Sequence, residues 1–268
     1  MLSRPPATHF QKLAMPIPTA PKTQLYQWPD KILFIGPLGE VGVHRHGANA
    51  WCHALEGELG YAEQGGWSHA AGARIRLGRA HRLHGGDRPV AVLYLHPEFD
   101  RPTAAGTRLL AAGAPPLLQD AYRSSALSAA ALAELGAGLD RLLYGGREPG
   151  TGSASPAVGA AVACLKQQLQ RNLALPEVAA AAGLSAGRLA HRFSQELGLA
   201  PRRFRLWHRL VRALDLSVAG GSLTAAALDA GFASPAHLSS AFRASFGLPP
   251  SAVLRAPALE MHRLTASP

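Results

Sequence analysis

Residues 24–98 carry short apolar runs interrupted by glycine. KILFI at 31–35, WCHAL at 51–55, ELGYAE at 58–63, RIRL at 74–77 and VAVLYL at 90–95 read as strands. The Glu56-Gly57 pair reads as a turn between two of them, and glycine recurs at 36, 39, 42, 47, 57, 60, 65, 66, 72, 78, 85 and 86. Many short strands with glycine punctuation predict a small barrel or jelly roll over 23–100. From 101 to 144 the spacing turns helical. Ala126–Tyr144 brings Leu127, Leu132, Leu135, Leu139, Leu142 and Leu143 to one side. That stripe needs cover, from the barrel exterior or from a second subunit, so 101–144 is a candidate dimerisation segment.

Beyond residue 156 the pattern is helical throughout. Val158, Val162, Leu165 and Leu169 recur at helical spacing, and Phe204, Trp207, Leu210, Val211 and Leu214 form a stripe on a longer helix opened by Pro201. On either side of that helix the chain nearly repeats itself. LPEVAAAAGLSAGRLAHRFSQELGLAP at 175–201 and LTAAALDAGFASPAHLSSAFRASFGLP at 223–249 share a small-residue helix, a glycine, an apolar residue and a serine. A second helix follows, with Leu and Phe four apart, closed by glycine. This is the helix-turn-helix pattern written twice, with Gly183 and Gly231 as matching turn residues, and it points to double-stranded DNA.

The remaining segments punctuate this plan. Residues 1–22 hold five prolines and read as a loose arm, 145–156 (GGREPGTGSASP) as a flexible linker, and 256–268 as a tail. The predicted fold class is α+β in two domains. A barrel comes first, and an all-α domain over 157–255 has two helix-turn-helix motifs joined by a linker helix. Charge agrees with a polyanionic partner. The net charge is +10, and residues 157–268 hold 12 Lys or Arg against 5 Asp or Glu. Cys52 and Cys164 are far apart, so no disulfide framework is expected. No apolar run of membrane length is present, and the expected location is the cytoplasm.

Spacing also assigns faces within each motif. In the first, Ser185 caps the recognition helix while Leu189 and Phe193 turn inward. The helix starts at Ala186, and Gly187, Ala190, His191, Ser194 and Gln195 are left towards the other face, flanked by Arg188 and Arg192. His191 and Gln195 can reach base edges, and the arginines suit phosphates. In the second motif Leu238 and Phe242 turn inward. Pro235 takes the first helical position, and Ala236, His237, Ser239, Ser240 and Arg243 are the outward set, with Arg243 as phosphate contact. Small residues give weak direct readout, so this head is expected to read less sequence.

The landmarks AAAAGLSAGRLAHRFSQELGLAPRRF at 179–204 and AALDAGFASPAHLSSAFRASFGLPPSAVLR at 226–255 resemble the AraC/XylS type of bacterial transcription regulator. The resemblance implies base contacts from Ala186, Gly187, Ala190, His191 and Gln195, and from Pro235, Ala236, Ser239 and Ser240. Residues 39–66 and 70–86 resemble the two cupin motifs. The usual glutamate is missing near Ala50, and Arg76 replaces the proline expected before Gly78. His44 and His46, two apart on a strand, would share the barrel interior with His81. Together they are candidate ligands for zinc, nickel or iron. The alternative is a pocket in which His44, His46, Trp51, Tyr61 and His81 bind a small effector.

These readings converge on a DNA-binding transcriptional regulator, not an enzyme, acting as activator or repressor. Its N-terminal barrel senses an effector or makes a homodimer, and RNA polymerase is a further expected partner. The alternative is a metal-dependent cupin enzyme with a helical appendage.

Overall fold

The computed structural model describes residues 23–63, 65–99, 101–124, 127–147, 150, 154–254 and 259–263. The arm at 1–22, linker residues 148–149 and 151–153, and tail residues 255–258 and 264–268 lie outside the described residues.

Seven strands open the chain: β1 (Thr23–Gln27), β2 (Lys31–His44), β3 (Asn49–Ala54), β4 (Leu59–Ala62), β5 (Ser68–Ala70), β6 (Gly72–Ile75) and β7 (His81–Leu95). An eighth, β8 (Leu259–Arg263), returns from the far end of the chain and lies parallel to β1, from Thr23 beside Leu259 to Gln27 beside Arg263. The long strands β2 and β7 form an antiparallel spine, and the other edge of β7 is divided between β3 and β4.

The expected cupin-like jelly roll is overturned. The sheet runs β5-β4-β7-β2-β1-β8, with β3 branching from β7 and β6 paired to β3, and among the described residues no pairing joins one end to the other. It is an open sheet. The reason lies in the glycines read as turns. Gly36, Gly39 and Gly42 all fall inside β2, and Gly85 and Gly86 inside β7. Register shifts between Pro37 and Gly39, between Gly39 and Glu40, and between Val41 and His44 are bulges that bend one long ribbon. The bent ribbon of β2 and β7 stays the centre of the sheet, and among the described residues its two end strands, β5 and β8, pair with no strand that would close it.

One sheet face is covered by α1 (Ala104–Ala111), α2 (Pro116–Arg123) and α3 (Ala129–Tyr144). Leu132, Leu135, Leu139 and Leu143 of α3 are buried in a core with Tyr26, Leu33, Ile35 and Leu93. Each such leucine contributes about 1.5–3 kcal/mol. The leucine stripe is thus satisfied within the chain. Lys31, fully buried on β2, fixes the docking through Asp30 at 2.9 Å and Asp140 of α3 at 2.7 Å.

The all-α domain follows: α4 (Pro156–Gln167), α5 (Leu175–Ala181), α6 (Ala186–Leu197), α7 (Pro201–Val218), α8 (Leu223–Asp229), α9 (Pro235–Phe246) and α10 (Pro250–Leu254). It has one core around Leu189, Phe193 and Phe204 and another around Leu210, Leu238 and Phe242. A further cluster crosses between the domains, where Trp207 and Val211 of α7 meet Leu25, Ile32 and Ala48. No helix of the described residues is long and apolar enough to cross a membrane.

Candidate functional site

Helices α5–α6 and α8–α9 are the two heads, and their turns match bond for bond. Leu184 N–H donates to Ala179 at 2.9 Å, and Phe232 N–H donates to Ala227 at 2.9 Å. Gly183 (φ +64) and Gly231 (φ +86) both take the left-handed conformation that the turn demands. Ser185 accepts from Arg188 N–H at 3.4 Å and Ser234 from His237 N–H at 3.1 Å, each capping its recognition helix.

On α6 the residues Gly187, Arg188, His191, Ser194 and Gln195 are exposed, while Ala186, Ala190 and Arg192 are half-buried. Arg192 is held by Glu196 at 3.1 Å, and the same carboxylate accepts from Ser155 N–H at 2.7 Å. That arginine therefore braces α6 against the start of α4. On α9 the residues Ala236, Ser240 and Arg243 are exposed, with Pro235 and Ser239 half-buried. His237 is exposed as well, with its ring against Phe232 at 5.3 Å.

Part of the basic excess serves the scaffold. Buried Arg209 donates to the carbonyls of Leu169 at 2.6 Å and Arg171 at 3.0 Å. Arg205 caps Leu173 and Arg212 caps Asp229. Of the arginines on the recognition helices, Arg188 and Arg243 are exposed and make no ion pair among the described residues.

The sheet face towards the helical domain holds the histidines. His44, His46 and His81 are buried, with ring centroids 4.0, 4.5 and 4.8 Å apart. Together they could hold a metal ion. Burial and the neighbouring His81 push His44 down to about 4, and burial drives His46 well below its ordinary value. Tyr94 and Phe246 lie beside His46 at 4.9 and 6.3 Å, and Tyr61 lies 6.4 Å from His81. Trp51 does not join them. It alternates to the other face of β3 and packs under the helices α1–α3. A cavity of about 310 Å³ adjoins the cluster, between residues 43–47 and Arg203, Leu206, Trp207, Ala244 and Ser245.

Comparison with known proteins follows the same division. Residues 178–256 match the family described as a helix-turn-helix domain. A transcriptional regulator with an AraC-type DNA-binding domain from Chromobacterium violaceum is 30% identical, over 38% of this chain and 95% of that one, with a TM-score of 0.35. The C-terminal domain is an AraC-type helix-turn-helix domain. ToxT from Vibrio cholerae is similar in fold across both domains. An apo variant superposes with a TM-score of 0.58 at 10% identity, covering 86% of this chain and 98% of that one. Wild-type ToxT bound to an unsaturated fatty acid gives 0.53 at 13% identity, covering 85% and 95%. Comparison with curated proteins by sequence finds no match. The alternative of a cupin enzyme falls with the closed barrel it required.

The AraC-type domain is wired to the sheet by groups that spacing alone had not marked. Trp207 of α7 donates its indole N–H to His96 Nδ1 at 2.8 Å, just beyond β7. Glu98 is buried between Lys166 of α4 at 2.8 Å and His208 of α7 at 3.2 Å. Burial alone would raise its carboxyl, but the His208 hydrogen bond and the charges of His208, His96 and Lys166 hold it well below the usual range. Trp207 looked like one residue of an apolar stripe. Its pairing with His96 spans 111 residues, and no local pattern encodes it.

Proposed function

We propose that the chain is a sequence-specific transcription regulator in which α6 and α9 enter successive major-groove segments while the N-terminal domain responds to a small effector. The matched turns on either side of one rigid helix carry this reading. Eighteen residues of α7 rise about 27 Å, against about 34 Å between groove segments on one side of a duplex. His191 and Gln195 supply most of the direct readout. Gly187, Ser194, Ala236, Ser239 and Ser240 allow close approach, and Arg188 and Arg243 meet phosphates.

ToxT, described as fatty-acid-bound, shares the fold, and a small effector is the corresponding proposal for this chain. Residues 23–100 form the sensing unit, with 101–144 packed on it, and 157–255 the DNA-binding unit. Two such chains would read two asymmetric half-sites, with RNA polymerase as the downstream partner.

Selection of bound duplexes from a random library tests this directly. One defined motif should be enriched, and His191→Ala should relax preference at one or two of its positions by about tenfold. No enrichment, or an unchanged motif with His191→Ala, would sink the assignment of α6 as the main reading helix.

A further inference from the structure

His44 and His81 each hold a backbone carbonyl through Nδ1, those of Gly42 at 2.8 Å and Arg79 at 3.0 Å. A carbonyl only accepts, so both rings carry hydrogen on Nδ1 and a lone pair on Nε2. Those lone pairs turn inward. His46 Nε2–H donates to His44 Nε2 at 2.9 Å, while His81 Nε2 and His46 Nδ1 are buried with no partner. Carbonyl-held imidazoles whose inward nitrogens meet only a fellow histidine, or nothing, have the support that metal-ligating histidines have. One nitrogen from each ring lies within 4.8 Å of the others. Bonds of about 2.0–2.1 Å place tetrahedral ligands roughly 3.4 Å apart, so the widest pair closes by about 1.4 Å on binding. Imidazole suits zinc, nickel, iron or copper. Among the described residues no carboxylate joins the cluster, and the adjoining cavity leaves a coordination position open to water or an anion.

The same loop seats α9. Arg45, between two of the histidines, donates its backbone N–H to the Ala244 carbonyl at 3.1 Å. Gly247 closes α9 at φ +73, and a Cβ there would stand 2.8 Å from both the Gly42 carbonyl and His44 Nδ1. Ligand loop and last helical turn therefore pack without slack, and rings drawn onto an ion carry that turn with them.

We infer that His44, His46 and His81 bind a divalent transition-metal ion, and that its occupancy sets the seat of the second recognition helix. The coupling to DNA rests on α9 being a reading helix; the metal site does not. The full chain, stripped with chelator, is titrated with cobalt(II) and zinc(II) and followed by visible absorption and hydrogen exchange. One equivalent should bind, and amides of 241–248 should exchange at least fivefold more slowly in the loaded protein. His46→Asn and His81→Asn, each checked for a native circular dichroism spectrum, should weaken binding at least tenfold and lose the protection. Substoichiometric binding, binding undiminished in both variants, or full binding with unchanged exchange would each overturn the inference. Protection that appears while no DNA motif is ever enriched would support the metal site and sink the DNA reading instead.

Discussion

The two heads share one turn and differ in what stands behind it. Behind α6 are α4 and the Arg192–Glu196–Ser155 brace, all within the helical domain. Behind α9 is the N-terminal sheet itself, through Arg45 to Ala244 and the tight seat of Gly247. The head with the more informative reading face is thus anchored largely within its own domain, with Leu77 of the N-terminal domain packed against its core. The head with small residues on its face is anchored in the N-terminal sheet. Such a division suits control, because a shift in α9 changes total affinity while α6 keeps the sequence preference.

The turn glycines give the largest separation between the heads. A Cβ on Gly183 meets nothing, so Gly183→Ala adds only left-handed strain, about 1 kcal/mol. A Cβ on Gly231 would lie 2.6 Å from the Leu169 carbonyl and 2.9 Å from Arg209 Nε, at φ +86. Backbone cannot yield there cheaply, and strain plus overpacking sum to about 3 kcal/mol. Urea unfolding of the two variants should show this gap. Equal losses would mean the second turn is no more tightly backed than the first.

Both heads were legible in the sequence because their signals are local. A glycine, a serine cap and a Leu–Phe pair four apart each act within one or two turns of helix. The sheet was only half legible. Strand positions such as 31–35 and 90–95 were readable from apolar runs. Whether Gly39 or Gly86 ends a strand or bends it depends on a partner strand some 45 residues away in sequence. β8 was invisible, since LEMHR gains strand character only by lying on β1. The histidines could be grouped by spacing, yet their contact with α9 spans about 200 residues and had no local mark.

Acid should loosen the anchoring of the linker helix to the sheet. Burial, followed by the charge of His208, holds His96 down to about 3, and Nδ1 accepts the Trp207 N–H. Its folded value lies below the unfolded 6.5, so its contribution is complete above pH 6.5 and is lost as pH falls below that. At pH 5 the loss is about 2 kcal/mol relative to pH 8. Glu98, also depressed in the folded state, adds its own loss only below about pH 4.5. His96→Asn should start less stable at pH 8 yet fall less steeply to pH 5, by that same amount. An unchanged slope would remove His96 as the source.

The smallest effect separates two arginines of the first head. Arg188 is exposed and makes no ion pair among the described residues, which suits the phosphate contact proposed for it. Arg192 already spends its charge on Glu196, and an exposed i,i+4 pair of this kind contributes about 0.3–0.5 kcal/mol. Arg188→Ala should therefore weaken binding to all duplexes alike, and lower the slope of log affinity against log salt by about 1. Arg192→Ala should cost a few tenths of a kcal/mol in stability and leave that slope nearly intact. If Arg192→Ala lowered the slope as much as Arg188→Ala, the Glu196 pair would have to open on DNA. The brace behind the first head would then be part of the reading surface, and the contrast with α9 would narrow accordingly.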